Sequence, residues 1–166
     1  MRIAYIIPSL YRMAPNRVVQ QLVEGMMARG HECHVFYFDP VTTDAIAFPC
    51  RATRISLLRA TDLTGYDVVH THGLRPNLYV WIHGVPRGVR AVATIHSYVF
   101  EEFRFIYGRV LGWIFGHLFV RTLSRHDRVV TLSSDAVAHY AHWIRPSRLT
   151  YCYNGVEEPA VDVPPD

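Results

Sequence analysis

Tyr66-Asp67-Val68-Val69-His70-Thr71-His72-Gly73 is a short apolar run that ends in histidines and a glycine, and Val92-Ala93-Thr94-Ile95-His96-Ser97 repeats the plan. A strand buried on both faces reads this way where it delivers polar side chains to the carboxyl edge of a parallel sheet. That is the edge at which open α/β folds bind ligands. Outward from these runs, strand and helix alternate. The patterning predicts strands over 3–7, 34–38, 68–72, 91–96, 128–132 and 149–153, with a short one near 54–57. Helices are predicted over 16–29, 76–83, 103–123 and from Ser133 or Ser134 to about 143. The first helix carries Val18, Val19, Leu22, Val23, Met26 and Met27 at helical spacing, with Pro15 at its start and Gly30 at its end. The order implies an α/β, Rossmann-like parallel sheet with helices on both faces.

The chain has 166 residues, half of them apolar and 19% charged, a globular composition of one-domain length. Residues 1–156 are expected to form the domain and 157–166 an acidic, proline-containing linker or tail. All 17 basic residues are arginine, and the residues before that tail carry a net charge of +7. Such a body suits phosphate-bearing ligands or an anionic membrane surface. The arginines are dispersed and no recognition motif accompanies them, so nucleic acid is not expected as a partner. Cys33, Cys50 and Cys152 are scattered; the expectation is free thiols in a reducing, cytoplasmic compartment, with Cys33 and Cys152 inside strands. No run reaches the ~18 apolar residues of a membrane span, and the amino terminus reads as a strand rather than a leader.

The loop after the first strand, Pro8-Ser9-Leu10-Tyr11-Arg12-Met13-Ala14-Pro15, lacks the glycines of a dinucleotide site, and no G-K-[ST] is present, so neither cofactor motif is available. His70 and His72 stand at i and i+2 and share a strand face. With His96 they suggest a three-histidine metal site, but no carboxylate or cysteine joins them at ligand spacing. No metal is expected, and core packing is the preferred reading of His70. In the predicted helix over 103–123, Ile106, Val110, Ile114 and Leu118 predict a core-facing stripe. Gly108, Gly112 and Gly116 give the same segment a smooth strip for close backbone approach. Its Trp113, Phe115 and Phe119, with Arg104, Arg109, Arg121 and Arg125, also fit a helix lying on a membrane surface.

Five stretches occur in an order that resembles the amino-terminal half of family 4 glycosyltransferases, which have the GT-B fold and retain anomeric configuration. They are Arg29-Gly30-His31-Glu32-Cys33-His34-Val35, Asp67 to Pro76, Thr94-Ile95-His96, Arg128 to Ser133, and Tyr153-Asn154-Gly155-Val156-Glu157. Ala14-Pro15 stands where the family usually has a glycine pair, so the donor-phosphate contact made there is not implied. The resemblance implies that His96 faces the cleft and contacts the donor sugar as the catalytic residue. It places Ser9, Arg12 and Arg17 of the first loop, His72, Gly73 and Arg75, and Ser97, Ser133 and Asn154 around the substrates. Acceptor choice is expected to lie in residues 39–63 and 97–105. It implies no cofactor; the nucleotide-diphospho-sugar, a UDP- or GDP-sugar, is a substrate held mainly by a second Rossmann-like domain that this sequence lacks. That domain, in cis or in trans, and a saccharide or lipid-linked acceptor are the implied partners. Self-association and peripheral contact with the inner face of the membrane are further expectations. A non-catalytic α/β module that binds a phosphorylated or saccharide ligand, or a partner protein, is the competing reading.

Overall fold

The computed structural model describes residues 1–40 and 43–155; the predicted boundary at 156 and the tail over 157–166 lie outside them. Seven parallel strands form one sheet: β1 (Arg2–Ser9), β2 (Glu32–Asp39), β3 (Arg51–Arg54), β4 (Val68–His72), β5 (Arg90–Thr94), β6 (Arg128–Thr131) and β7 (Leu149–Tyr151). Their spatial order is β3-β2-β1-β4-β5-β6-β7. The helices are α1 (Ala14–Ala28), α2 (Leu74–His83), α3 (Val99–Thr122) and α4 (Ser134–Tyr140). From β1 the chain winds one way to β2 and β3, and from β4 the other way to β7. Crossovers of one hand then put the helices of the two halves on opposite faces.

Alternation along β1 shows this directly. Ile3, Tyr5 and Ile7 pack with Val19 and Val23 of α1, whereas Ala4 and Ile6 face Tyr79 and Val80 of α2. Farther along that second face, Ala93, Val129 and Leu149 meet Phe119 of α3 and Tyr140 of α4. Each fully buried aliphatic or aromatic side chain stabilises the fold by roughly 1.5–3 kcal/mol. The face under α1 has no such cover over β5 to β7 among the described residues.

Several boundaries differ from the patterned expectation. β3 begins three residues earlier than expected, pairing His34 to Tyr37 with Arg51 to Arg54. β7 stops at Tyr151, so Cys152 lies past the strand and is exposed. α4 ends at Tyr140 and continues only as turns.

The larger difference is α3. Gly108 has φ +79° and breaks the helix, and the two arms fold back on one another. Gly112 lies against Arg104, so close that a β-carbon there would sit 2.5 Å from its backbone, and Gly116 lies against the Phe100 ring. Phe103 of the first arm closes the pair, its ring centroid 6.3 Å from that of Phe115 and 6.2 Å from that of Phe119 on the second arm. The glycine strip therefore receives the helix's own first arm. Ile106, Val110 and Ile114, expected as core, are exposed; the inward residues are Val99, Gly112, Gly116, Phe119 and Thr122. Among the described residues no helix is long and apolar enough to cross a membrane.

Candidate functional site at the carboxyl edge

The winding reverses between β1 and β4, and at such a switch point the loops part to leave a crevice beyond the strand ends. β4 and β5 carry histidines to it. His72 pairs in register with Thr94, and His96 follows two residues later on the same face. The His72 Nδ1 and His96 Nε2 atoms are 2.9 Å apart in a hydrogen bond. One step back, His70 Nε2 shares a hydrogen bond of 2.8 Å with the Thr94 hydroxyl. The three rings follow one another, with centroids 4.3 and 5.2 Å apart, against the buried ring of Tyr5.

An imidazole pair needs one N–H and one bare nitrogen, so at least the accepting ring is neutral, and burial disfavours the charged form of both. Desolvation holds His96 down at about 4. It pushes His72 well below its ordinary value, helped by His70 and His96. Among the described residues buried His72 has no partner for its Nε2, an uncommon state for an interior polar atom. Among the described residues no three His, Cys, Asp or Glu side chains are placed to hold a metal; these histidines are turned to one another and to Thr94.

A cavity of about 190 Å³ opens beside the pair. His72, Thr94, His96, Ser97 and Glu102 give it polar groups, while Pro8, Met13, Phe103 and Phe119 are its apolar walls. Gly73, at φ +95°, turns the chain from β4 into α2 at its edge, a conformation that an L side chain rarely adopts. The Ser97 hydroxyl donates to the Glu102 carboxylate. Behind them the Tyr140 hydroxyl accepts from the Val99 amide at 2.9 Å and donates to the Ser97 carbonyl at 2.7 Å, fastening the loop to α4. Neutral imidazole, hydroxyl and carboxylate groups around an apolar recess can orient a polyhydroxylated ligand.

Of the residues expected at the substrates, the structure gathers His72, Gly73, His96 and Ser97 in this cavity. Ser9 is at the end of β1, its carbonyl bonded by the buried Asn16 amide at 2.9 Å. Arg12 pairs with Asp44 at 3.0 Å and Arg75 with Asp39 at 2.7 Å; Arg75 lines a separate groove with Phe38 and Arg54. Arg17 is exposed on the first turn of α1. Ser133 caps α4, accepting from the Ala136 amide at 3.1 Å. Asn154 lies on the rim of a larger cavity, a trough of about 660 Å³ under the uncovered face, bounded by α1 and floored by His70, Thr94, Val130 and Leu132. His70 is thus mostly buried, with an edge on that trough. The smaller cavity carries the convergent polar groups, and it is the candidate site. Thr94 and Glu102 escaped the sequence reading. Thr94 could have been found from its place two residues before His96; Glu102 lies within the 97–105 segment that was expected to shape acceptor choice.

The sequence model of the family described as Glycosyltransferase Family 4 matches residues 15–158. Two Escherichia coli proteins named O-antigen biosynthesis glycosyltransferase WclY are each 32% identical over 168 residues, covering 95% of this chain and 46% of theirs. The chain therefore spans about half the length of these curated relatives. Among solved structures, sucrose-phosphate synthase from Thermosynechococcus elongatus superposes with a TM-score of 0.70 at 16% identity, over 92% of this chain and 47% of that one. An alpha-glucosyltransferase in complex with UDP-glucose and DNA containing an abasic site gives 0.64 at 15% identity, over 93% and 42%. At these identities the likeness is one of fold, and it is the fold of one half of a GT-B glycosyltransferase.

Proposed function

Because this chain belongs to glycosyltransferase family 4, we propose that it forms the acceptor-binding half of a retaining, nucleotide-sugar-dependent hexosyltransferase. The observation that carries the reading is the polar cavity at the switch point, with a neutral His72–His96 pair at its wall. A saccharide or lipid-linked saccharide is the acceptor; the role in O-antigen biosynthesis named for the E. coli relatives supports a place in polysaccharide assembly. The UDP- or GDP-sugar is held mainly by a second Rossmann-like domain that faces the carboxyl edge, in the same chain or another.

His96 is the catalytic residue of this half. Its bond to His72 fixes the ring, and its other nitrogen is left for a donor-sugar hydroxyl or a phosphate oxygen. Ser97 and Glu102 orient the acceptor. Closure of the two domains expels water from between them, so the isolated chain is expected to turn over little or nothing. The test is sugar transfer by the complete enzyme carrying His96→Ala. The expected result is a fall in kcat/KM of about 100-fold with the fold retained and a stability loss of only about 1–3 kcal/mol from the broken bond to His72. Undiminished transfer would remove His96 from the chemistry. Saccharide binding that needs neither His96 nor a second domain would make the chain a non-catalytic binding module.

A further inference from the structure

The α3 hairpin stands on the sheet by one end only. Phe119, Thr122 and the following Leu123 are buried at its foot, while the arms meet as Phe100 with Gly116 and Arg104 with Gly112, symmetric about the turn at Gly108. From Phe103, which still packs at the foot, the first arm carries the tip about 7 Å farther to the turn at Gly108. That tip presents Phe105, Ile106, Val110, Leu111, Trp113 and Ile114 to solvent; Phe105 is 92%, Val110 73% and Trp113 62% exposed. A contiguous apolar surface of this kind on a water-soluble domain marks a contact.

Its chemistry identifies the partner. From Phe103 to His126 there are four arginines and no aspartate or glutamate. Arg104 and Arg109 flank the turn, and neither makes an ion pair among the described residues. A protein groove receives one face of a helix, whereas these apolar side chains surround the tip on both arms. The medium that meets a projection on all sides is a bilayer. Arginine stems can lie along the apolar tip while their guanidinium groups reach lipid phosphates, and Tyr107 and Trp113 suit the boundary between acyl chains and headgroups.

We propose that the hairpin tip inserts into the interfacial layer of an anionic membrane, as a monotopic anchor with no spanning segment. Insertion to the shallow end of the roughly 5–10 Å usual for interfacial helices would immerse the tip and leave the foot dry of lipid. The foot also contributes Val99, Glu102, Phe103 and Phe119 to the candidate cavity. On the transferase reading given above, the anchor therefore holds the acceptor cavity against the surface at which a lipid-linked saccharide presents its sugar.

Vesicle flotation of the purified full chain tests this. The expected result is flotation with vesicles containing phosphatidylglycerol, weakened by salt and much reduced with pure phosphatidylcholine. Arg104→Gln with Arg109→Gln should weaken binding roughly tenfold or more, at about fivefold per arginine. Phe105→Glu with Trp113→Glu should abolish it, and because both side chains are exposed the circular dichroism should not change. No flotation, or flotation indifferent to the Phe105 and Trp113 substitutions, overturns the proposal. So does a dimer in sedimentation that the same pair dissociates without any vesicle binding, which would assign the tip to a second copy. Flotation requires no sugar transfer, so its failure leaves the transferase reading standing.

Discussion

At the foot of the helical hairpin Phe119 and Leu123 are 4% and 1% exposed, while at its tip Phe105 and Val110 are 92% and 73% exposed. The residue types are alike and the segment is one continuous run. What differs is what lies opposite: β5, β6 and α4 at the foot, solvent at the tip. Beside the foot the contrast runs the other way, for His72 is buried and His96 half-buried although both are polar. Polarity therefore does not set burial in this part of the molecule. Position relative to the sheet edge does, and the exceptions it creates on either side of that edge are the candidate cavity and the exposed tip.

Truncation should separate foot from tip most sharply. Phe119→Ala removes a ring from the cluster that joins α3 to β5, β6 and α4. The expected loss is about 3–5 kcal/mol, read from the urea midpoint at constant slope. A loss no larger than that of a surface residue would mean that the hairpin is not seated on the sheet.

Acid should expose the buried histidines next. In the folded chain His96 and His126 titrate near 4, and His70 and His72 are also pushed down by burial. In the unfolded chain each takes its proton near 6.5. Unfolding thus binds protons, and the stability these neutral rings contribute is complete above about pH 6.5 and falls as pH drops toward about 4, on the order of 2 kcal/mol for a ring such as His96. A midpoint that stays level between about pH 7 and about pH 5 would show that water already reaches the rings.

The smallest effect belongs to the tip. Val110→Ser should change stability by less than about 0.5 kcal/mol, because no neighbour is lost. A larger destabilisation would show that the tip packs against something in solution and would erase the contrast with Phe119.

Much of this was legible beforehand. The strand endings His70-Thr71-His72-Gly73 and Ile95-His96-Ser97 placed four of the cavity's residues at one sheet edge, because parallel strands of similar length end together. The paired partner of His96 was not legible. His72 and His96 are 24 residues apart, and their contact depends on β4 and β5 being neighbours in a register that pairs His72 with Thr94. The resemblance placed Arg12 and Arg75 around the substrates, and the structure pairs them with Asp44 and Asp39. Nothing in the spacing of those ion pairs, separated by 32 and 36 residues, marks them in the sequence.

The sequence by itself determined the alternation of strand and helix, the strands that end in histidine, and the glycine spacing of α3, since each follows from local periodicity and backbone preference. Only the tertiary structure decided what those glycines face. A strip of small residues admits any backbone that reaches it, and the positive φ at Gly108 brings the first arm of α3 there before the sheet can. That one choice turns a predicted core stripe outward into water, because a helix has a single face to give and its own partner arm has taken it.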